Sequence, residues 1–320
     1  MITATQVSKQ YGHTTAVDDI SFEVKEGENL VLLGTSGCGK TTTLKMLNRL
    51  IPASSGCITI NGTDITQQQA ETLRRSIGYV LQQNSLFPHY TVAENIAVVP
   101  SLLQWDKKKI AARTEELLDK LQLSPAKYLS AYPNQLSGGQ QQRVNIARAL
   151  AADPPILLMD EPFGALDTIT RTSITKDFSE IDEFMRKTIV MVTHDVKEAF
   201  LIGDNICIMN AGKIVQQGKP LELLFAPAND FVKEFLSGSY LQLALSSIKA
   251  SDIWDTLQNT DSTTIDAPLS ESSTLWDMME YALKHKNSTN VYLKNGNGIT
   301  KQIDKNSILK YSLDYNYNGQ

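Results

Sequence analysis

Residues 34–41 read Gly-Thr-Ser-Gly-Cys-Gly-Lys-Thr, and what flanks them constrains this chain more than any other feature. The apolar run at 29–33 predicts a strand and 42–50 a helix, so the octet is the tight loop of a strand–loop–helix unit. Gly34, Gly37 and Gly39 open backbone conformations closed to other residues. Consecutive N–H groups, those of Thr35, Ser36, Cys38 and Thr42 among them, can then turn inward at a helix N-terminus, where the dipole also favours an anion. Lys40 adds a mobile cation for terminal phosphates and Thr41 a hydroxyl suited to Mg²⁺. A turn without chemical purpose could share the glycines, but it does not require the strand before and the helix after.

At 320 residues the chain has room for two domains with separate cores. Its 42% hydrophobic and 20% charged residues are those of a globular protein. No run reaches the roughly 18 apolar residues that span a bilayer, and residues 1–9 lack the apolar centre of a secretion signal. The expectation is a cytoplasmic protein that meets a membrane only through a partner. A net charge of −5 offers no electrostatic basis for nucleic acid as that partner, and the basic run Lys107, Lys108 and Lys109 reads as a solvated helix face. Cys38, Cys57 and Cys207 have neither the number nor the spacing of a disulfide framework or a zinc site. Cys38 lies where a helix N-terminus activates a thiol, but no base accompanies it.

Strand-like runs at 21–24, 29–33 and 57–60, the last closed by Asn61-Gly62, occupy the chain through about Thr66. From 105 to 123 the period turns helical, with Ile110, Leu117, Leu118 and Leu121 on one face, within a helical insertion of about 85–150. The runs 156–159 and 188–192 predict strands buried on both faces, separated by a helix at 168–184, hence an α/β order with a parallel sheet. Residues 205–217 read as a hairpin turning at Asn210-Ala211-Gly212. After Gly238 Ser, Thr and Asn become frequent. A helix at 274–283, a strand at 290–293 and a turn at 295–298 outline a second domain over 239–320, with 311–320 a loose tail.

Asp160 and Glu161 close the run 156–159. Adjacent acids at a buried strand end are costly unless a cation or hydrogen bonds compensate them. Mg²⁺ beside a triphosphate would do so, Asp160 anchoring the metal shell and Glu161 reaching the attacking water. An exposed strand end before Pro162 is the plainer alternative. Further along, Ser137 and Gln140 fit an S-x-x-Q capping box, which requires no function. Gly138 and Gly139 nevertheless leave that helix N-terminus uncovered, a second anion site. Two anion sites and one metal site suggest a nucleotide shared between two subunits.

In order and spacing, 34–41, Gln82, 136–140, 156–161, Ala165-Leu166-Asp167 and His194 resemble the ATP-binding-cassette ATPases, over about residues 1–236. The resemblance implies a RecA-like P-loop nucleotide-binding domain, residues 1–238, with an antiparallel β subdomain beside the helical insertion. It implies ATP and Mg²⁺ as ligands and a head-to-tail homodimer, each ATP lying between the phosphate loop of one subunit and residues 137–140 of the other. It further implies that Tyr11 stacks on adenine, Gln82 contacts Mg²⁺ and reports on the membrane partner, Asp167 communicates across the dimer, and His194 contacts the γ-phosphate. Taken singly, Tyr11 is a turn residue before Gly12, Gln82 a surface residue, Asp167 a helix N-cap and His194 a structural histidine.

Residues 41–51, Leu-Phe-Pro-His at 86–89 and residues 160–167 resemble more narrowly the glycine betaine, carnitine and choline branch of importer ATPases. That likeness implies a translocase-class ATPase, peripheral on the cytoplasmic face of the plasma membrane. Its partners would be integral membrane permease subunits and, through the complex, an extracytoplasmic substrate-binding protein. A cassette ATPase acting on a macromolecular complex, or an importer ATPase for another solute, stays open. The small α+β C-terminal domain resembles a single degenerate cystathionine-β-synthase-type unit, with a strand near 264–265, the helix, the strand and a second helix beginning at 304–309. The Asp-x-x-Gly turn of such units stands here as Asn295-Gly296-Asn297-Gly298, so regulation and plain dimerisation are both open roles.

Overall fold

The computed structural model describes residues 1–82, 85–167, 171, 174–175, 186–260, 268–285 and 288–315. They fall into two compact units, Met1–Gln217 and Gly218–Gln320. The division precedes the composition shift after Gly238 because the helix Pro220–Phe225 packs against the helix Tyr240–Ser247.

In the first unit, β1 (Ile2–Tyr11) and β2 (Thr14–Val24) form a hairpin, and β3 (Asn29–Gly34) leaves it for a second sheet. β4 (Ser55–Ile60) and β5 (Thr63–Asp64) return to the first, antiparallel sheet, ordered β2-β1-β4-β5. β6 (Ile77–Val80), β7 (Ile156–Asp160), β8 (Thr188–Thr193), β9 (Asn205–Asn210) and β10 (Lys213–Gly218) join β3. Among the described residues this sheet has six strands, ordered β10-β9-β3-β8-β7-β6. The pairs β9–β3, β3–β8, β8–β7 and β7–β6 are parallel, as the unbroken apolar runs predict, and every residue of β7 and β8 is buried.

Register decides what shares an edge. Leu33 pairs with Thr193, Asp160 with Val192 and Val80 with Met159, so four carboxyl ends open side by side, where α/β sheets bind ligands.

The helical insertion contains Val92–Leu102, Lys107–Lys120, Pro125–Tyr128 and Gly138–Leu150. Of the predicted apolar face, Leu117, Leu118 and Leu121 are buried and Ile110 is half-buried, while Lys107, Lys108 and Lys109 are exposed. Most of the helix expected at 168–184 lies outside the described residues.

The second unit contains a sheet ordered β11-β14-β13-β12, from β11 (Gln258–Asn259), β12 (Leu269–Ser270), β13 (Asn290–Lys294) and β14 (Thr300–Asp304). β12 runs parallel to β13, and the helix Leu275–Lys284 lies between them in sequence, capped by Thr274. Leu275, Met278, Val291, Leu293, Ile303 and Ile308 are buried in this unit. The strand expected near 264–265 lies outside the described residues. The second helix expected to begin at 304–309 is Ile308–Asp314 and runs into the tail expected at 311–320, where the Tyr311 hydroxyl donates to the Thr256 carbonyl at 3.3 Å; residues 316–320 lie outside the described residues. Buried Ile308 and Ser312 anchor that helix.

Candidate active site

The loop after β3 is shaped by close backbone contacts. A side chain on Gly34 would place Cβ 2.3 Å from the Met209 carbonyl of β9, so this glycine is needed for approach, not for an unusual φ. Gly39 does adopt φ 106°, and its Cβ would lie 2.5 Å from the Ala16 carbonyl of β2. The turn after β9 supports the loop, the Gly212 N–H donating to the Cys38 carbonyl at 3.1 Å.

Gly39 caps the helix Lys40–Leu47 without any side-chain hydrogen bond, leaving its first N–H groups for an anion. Lys40 is buried, and its Nζ donates to the carbonyls of Gly34 at 2.9 Å and Thr35 at 2.8 Å, poised over the same loop. Thr35, Ser36, Gly37, Cys38, Thr41 and Thr42 complete the turn and first helical residues as expected, with the Cys38 thiol buried.

The Thr41 hydroxyl donates to Asp160 Oδ1 at 2.7 Å, joining two segments 119 residues apart. Burial pushes the Asp160 carboxyl above its ordinary pKa, while the Thr41 hydrogen bond opposes the rise. Such a carboxylate gains from a nearby cation. No cluster of His, Cys, Asp or Glu among the described residues could hold a metal unaided. The Thr41 hydroxyl, the Asp160 carboxylate and the Gln82 amide oxygen are hard donors of the kind Mg²⁺ accepts when phosphate and water fill the rest of its shell, so the residues fit that ion.

Next to Asp160, Glu161 has φ 42°, which turns its side chain out of the strand line. Its N–H donates to the Val192 carbonyl at 2.9 Å, tying it to β8. Gln82 Nε2 donates to Glu161 Oε2 at 2.9 Å, and His194 Nδ1 lies 3.1 Å from the same oxygen. The Glu161 side chain is 16% exposed and His194 51%, so one face of this trio meets solvent. A carboxylate positioned by an amide and an imidazole, beside an anion-binding loop, can take a proton from water attacking a phosphate.

Other expected site residues stand apart from this group. Tyr11 is exposed at the end of β1, with Lys9 Nζ 5.0 Å from its ring centroid. Ser137 caps Gly138–Leu150 in the expected capping box, its N–H donating to Gln140 Oε1 at 3.0 Å. Among the described residues no hydrogen bond or ion pair joins Ser137, Gly138, Gly139 or Gln140 to the phosphate loop. Asp167 is exposed, and the helix it would cap lies outside the described residues.

Sequence reasoning missed the polar groups that hold these segments. Arg171 donates to the carbonyls of Gly164 at 3.2 Å and Leu166 at 3.1 Å and pairs with Asp195 at 3.4 Å, linking the loop after Glu161 to the turn after His194. Glu198, whose carboxyl burial raises, accepts from the Thr193 hydroxyl at 2.5 Å. Asn95, fully buried, accepts from the Phe87 N–H at 2.8 Å and donates to three carbonyls, those of Phe87, Tyr90 and Thr91. Asn95 was detectable as a polar residue on an otherwise apolar helical face. Arg171 carried no such signal.

Residues 17–164 match the family described as ABC transporter. The chain is 49% identical over 271 residues to the osmoprotectant import ATP-binding protein OsmV of Salmonella typhimurium, covering 85% of this chain and 71% of that relative. It is 53% identical over 237 residues to the glycine betaine/carnitine/choline transport ATP-binding protein OpuCA of Bacillus subtilis, covering 74% of this chain and 62% of the relative. With the glycine betaine uptake system ATP-binding protein YehX of Escherichia coli it shares 48% identity over 250 residues, 78% of this chain and 81% of the relative. Among solved structures, a dimeric bacterial ABC transporter cassette, MJ0796, superposes with a TM-score of 0.61 at 35% identity, covering 68% of this chain and 98% of that one.

Proposed function

This chain belongs to the ABC transporter ATPase family, and we propose that it is the ATP-hydrolysing subunit of an importer for quaternary-amine osmoprotectants such as glycine betaine, carnitine or choline. The observation that carries the chemistry is the convergence of Gln82 and His194 on one oxygen of Glu161, beside the Thr41–Asp160 pair. The substrate class is supported by relatives named for these solutes at about half identity.

In the proposed reaction Glu161 takes a proton as water attacks the γ-phosphate, with Gln82 and His194 holding its carboxylate in place. Lys40 and the free N–H groups at the start of Lys40–Leu47 stabilise the charge spreading over the phosphoryl oxygens. Mg²⁺, when bound by Thr41, Asp160 and Gln82 with the nucleotide, would supply electrostatic neutralisation of the phosphates. Ser137, Gly138, Gly139 and Gln140 of a second copy would close the site, in keeping with their having no hydrogen bond to the phosphate loop among the described residues of one chain. In that dimer Tyr11 would stack on adenine and Asp167 would report across the interface.

No helix among the described residues is long and apolar enough to cross a membrane. On the likeness to import ATP-binding proteins, the proposed subunit is peripheral, on the cytoplasmic face, driven against integral permease subunits that receive solute from an extracytoplasmic binding protein. The C-terminal unit, with β12 and β13 parallel about one helix, supports a single cystathionine-β-synthase-type unit serving regulation or dimerisation.

Deletion of this chain should abolish betaine, carnitine and choline uptake at high salt, and Glu161→Gln should bind ATP while blocking that uptake. Unchanged uptake of all three solutes after deletion would refute the substrate class. Recovery of ribosomes or DNA in place of a membrane protein would refute the importer.

A further inference from the structure

We propose that Lys9 is a positioning residue for the base of the bound nucleotide, acting through the ring of Tyr11. The inference rests on the reading of Tyr11 as the adenine platform, and adds the group that fixes the platform in place. Lys9 is 8% exposed, an unusual place for a cation. Among the described residues no carboxylate forms an ion pair with it. Its partners are the Pro52 carbonyl, which accepts from Nζ at 2.7 Å, and the face of the Tyr11 ring, whose centroid lies 5.0 Å away. One hydrogen bond uses one of three ammonium protons, so the ring supplies part of what water would otherwise give. The ammonium against one face of Tyr11 also draws π density toward itself and weakens the negative charge on the other face. A neutral purine, whose own face is negative, then stacks with less repulsion, and Tyr11 at 51% exposure has surface left to receive it.

Lys9 ties this platform to the phosphate loop from two directions. Pro52 follows the helix Lys40–Leu47, and its neighbour Ile51 is fastened to that helix by an N–H donating to the Lys45 carbonyl at 3.4 Å. On the other side Val17, the β2 residue paired with Lys9, lies against Gly39: a Cβ there would sit 3.2 Å from Val17 Cγ2. The phosphate-binding helix is thus met at its start by the strand partner of Lys9 and beyond its end by Lys9 itself. That arrangement fixes the base platform relative to the phosphate loop, the two points between which a nucleotide is held.

The test is calorimetric titration of the full-length protein with ADP and, separately, with inorganic pyrophosphate, which has no base. Tyr11→Ala should weaken ADP binding about fivefold or more, the low end of base–aromatic stacking. Lys9→Met keeps the length of the stem and leaves the carbonyl of exposed Pro52 to water. It should weaken ADP about threefold or more while pyrophosphate affinity stays within about twofold of the parent. Lys9→Arg restores a cation that can stack on the ring and should hold ADP affinity within about twofold of the parent. Should Lys9→Met lose its cooperative thermal melt, Lys9→Gln, which keeps a donor for Pro52 without the charge, should show the same selective loss. An equal fall for ADP and pyrophosphate in whichever variant folds means a disturbed phosphate loop and overturns the inference. So does unchanged ADP affinity in that variant while Tyr11→Ala weakens it. Unchanged ADP affinity in Tyr11→Ala refutes the platform reading itself, and the inference with it.

Discussion

Replacing Asn95 with leucine removes a side chain of similar size whose whole amide is used. Its four hydrogen bonds tie Phe87, Tyr90 and Thr91, in the segment that follows Gln82, to the helical insertion. Their loss is unequal. The Phe87 carbonyl keeps the Tyr90 N–H at 3.1 Å and the Thr91 carbonyl keeps the Asn95 N–H at 2.9 Å. The Phe87 N–H and the Tyr90 carbonyl lose the only partners the side chain gave them. Two orphaned backbone groups at about 1–3 kcal/mol each make about 2–6 kcal/mol, and water reaching the exposed Phe87 and Tyr90 reduces this to about 1–3. For a unit of this size that lowers the melting temperature by about 2–12 °C, followed through Trp105 with Trp254 and Trp276 replaced by phenylalanine. Asn95→Asp sharpens the test, because a carboxylate would face three carbonyls with no proton to donate. Its folded pKa must rise, so its contribution is fully present below the ordinary carboxylate pKa and lost as pH rises through the raised value. Asn95→Asp should therefore be the less stable variant at neutral pH and recover on acidification, whereas Asn95→Leu should not. A melt of Asn95→Leu within about 1 °C of its parent would refute the reasoning.

Gly39→Ala meets both φ 106° and a carbonyl 2.5 Å from its new Cβ, and should cost at least about 2 kcal/mol in urea unfolding and weaken ATP binding measured calorimetrically. Glu161→Gln should retain ATP affinity and lose about 10²–10⁴-fold in phosphate release, while Lys40→Ala should raise the dissociation constant for ATP itself. Burial holds the Glu198 carboxyl above its ordinary pKa, so its contribution to stability is full below the ordinary value and declines as pH rises through the raised one. The difference between wild-type and Glu198→Gln unfolding free energies should therefore fall from acid to neutral pH, and a flat difference across pH 4–8 would contradict the burial argument.

The strand-like runs at 29–33, 156–159 and 188–192 were legible because strands covered on both faces are apolar throughout, and such strands favour parallel pairing. The cap at Ser137 follows a local rule that needs no neighbours. The beginning of the helix at 308–314 was legible, but its continuation into 310–314 was not, because its burial comes from packing within the second unit. Arg171 escaped for a related reason, since its partners are backbone carbonyls and acids that local spacing cannot reveal.

By itself the sequence determined the chemistry available: a glycine-shaped anion loop with a lysine and a hydroxyl, and two acids at the end of an apolar strand. These are local properties, set by the conformations and charges that each residue type allows. Only the tertiary structure decided which groups meet. Gln82 and Glu161, 79 residues apart, share a hydrogen bond because β6, β7 and β8 pair in parallel and in register.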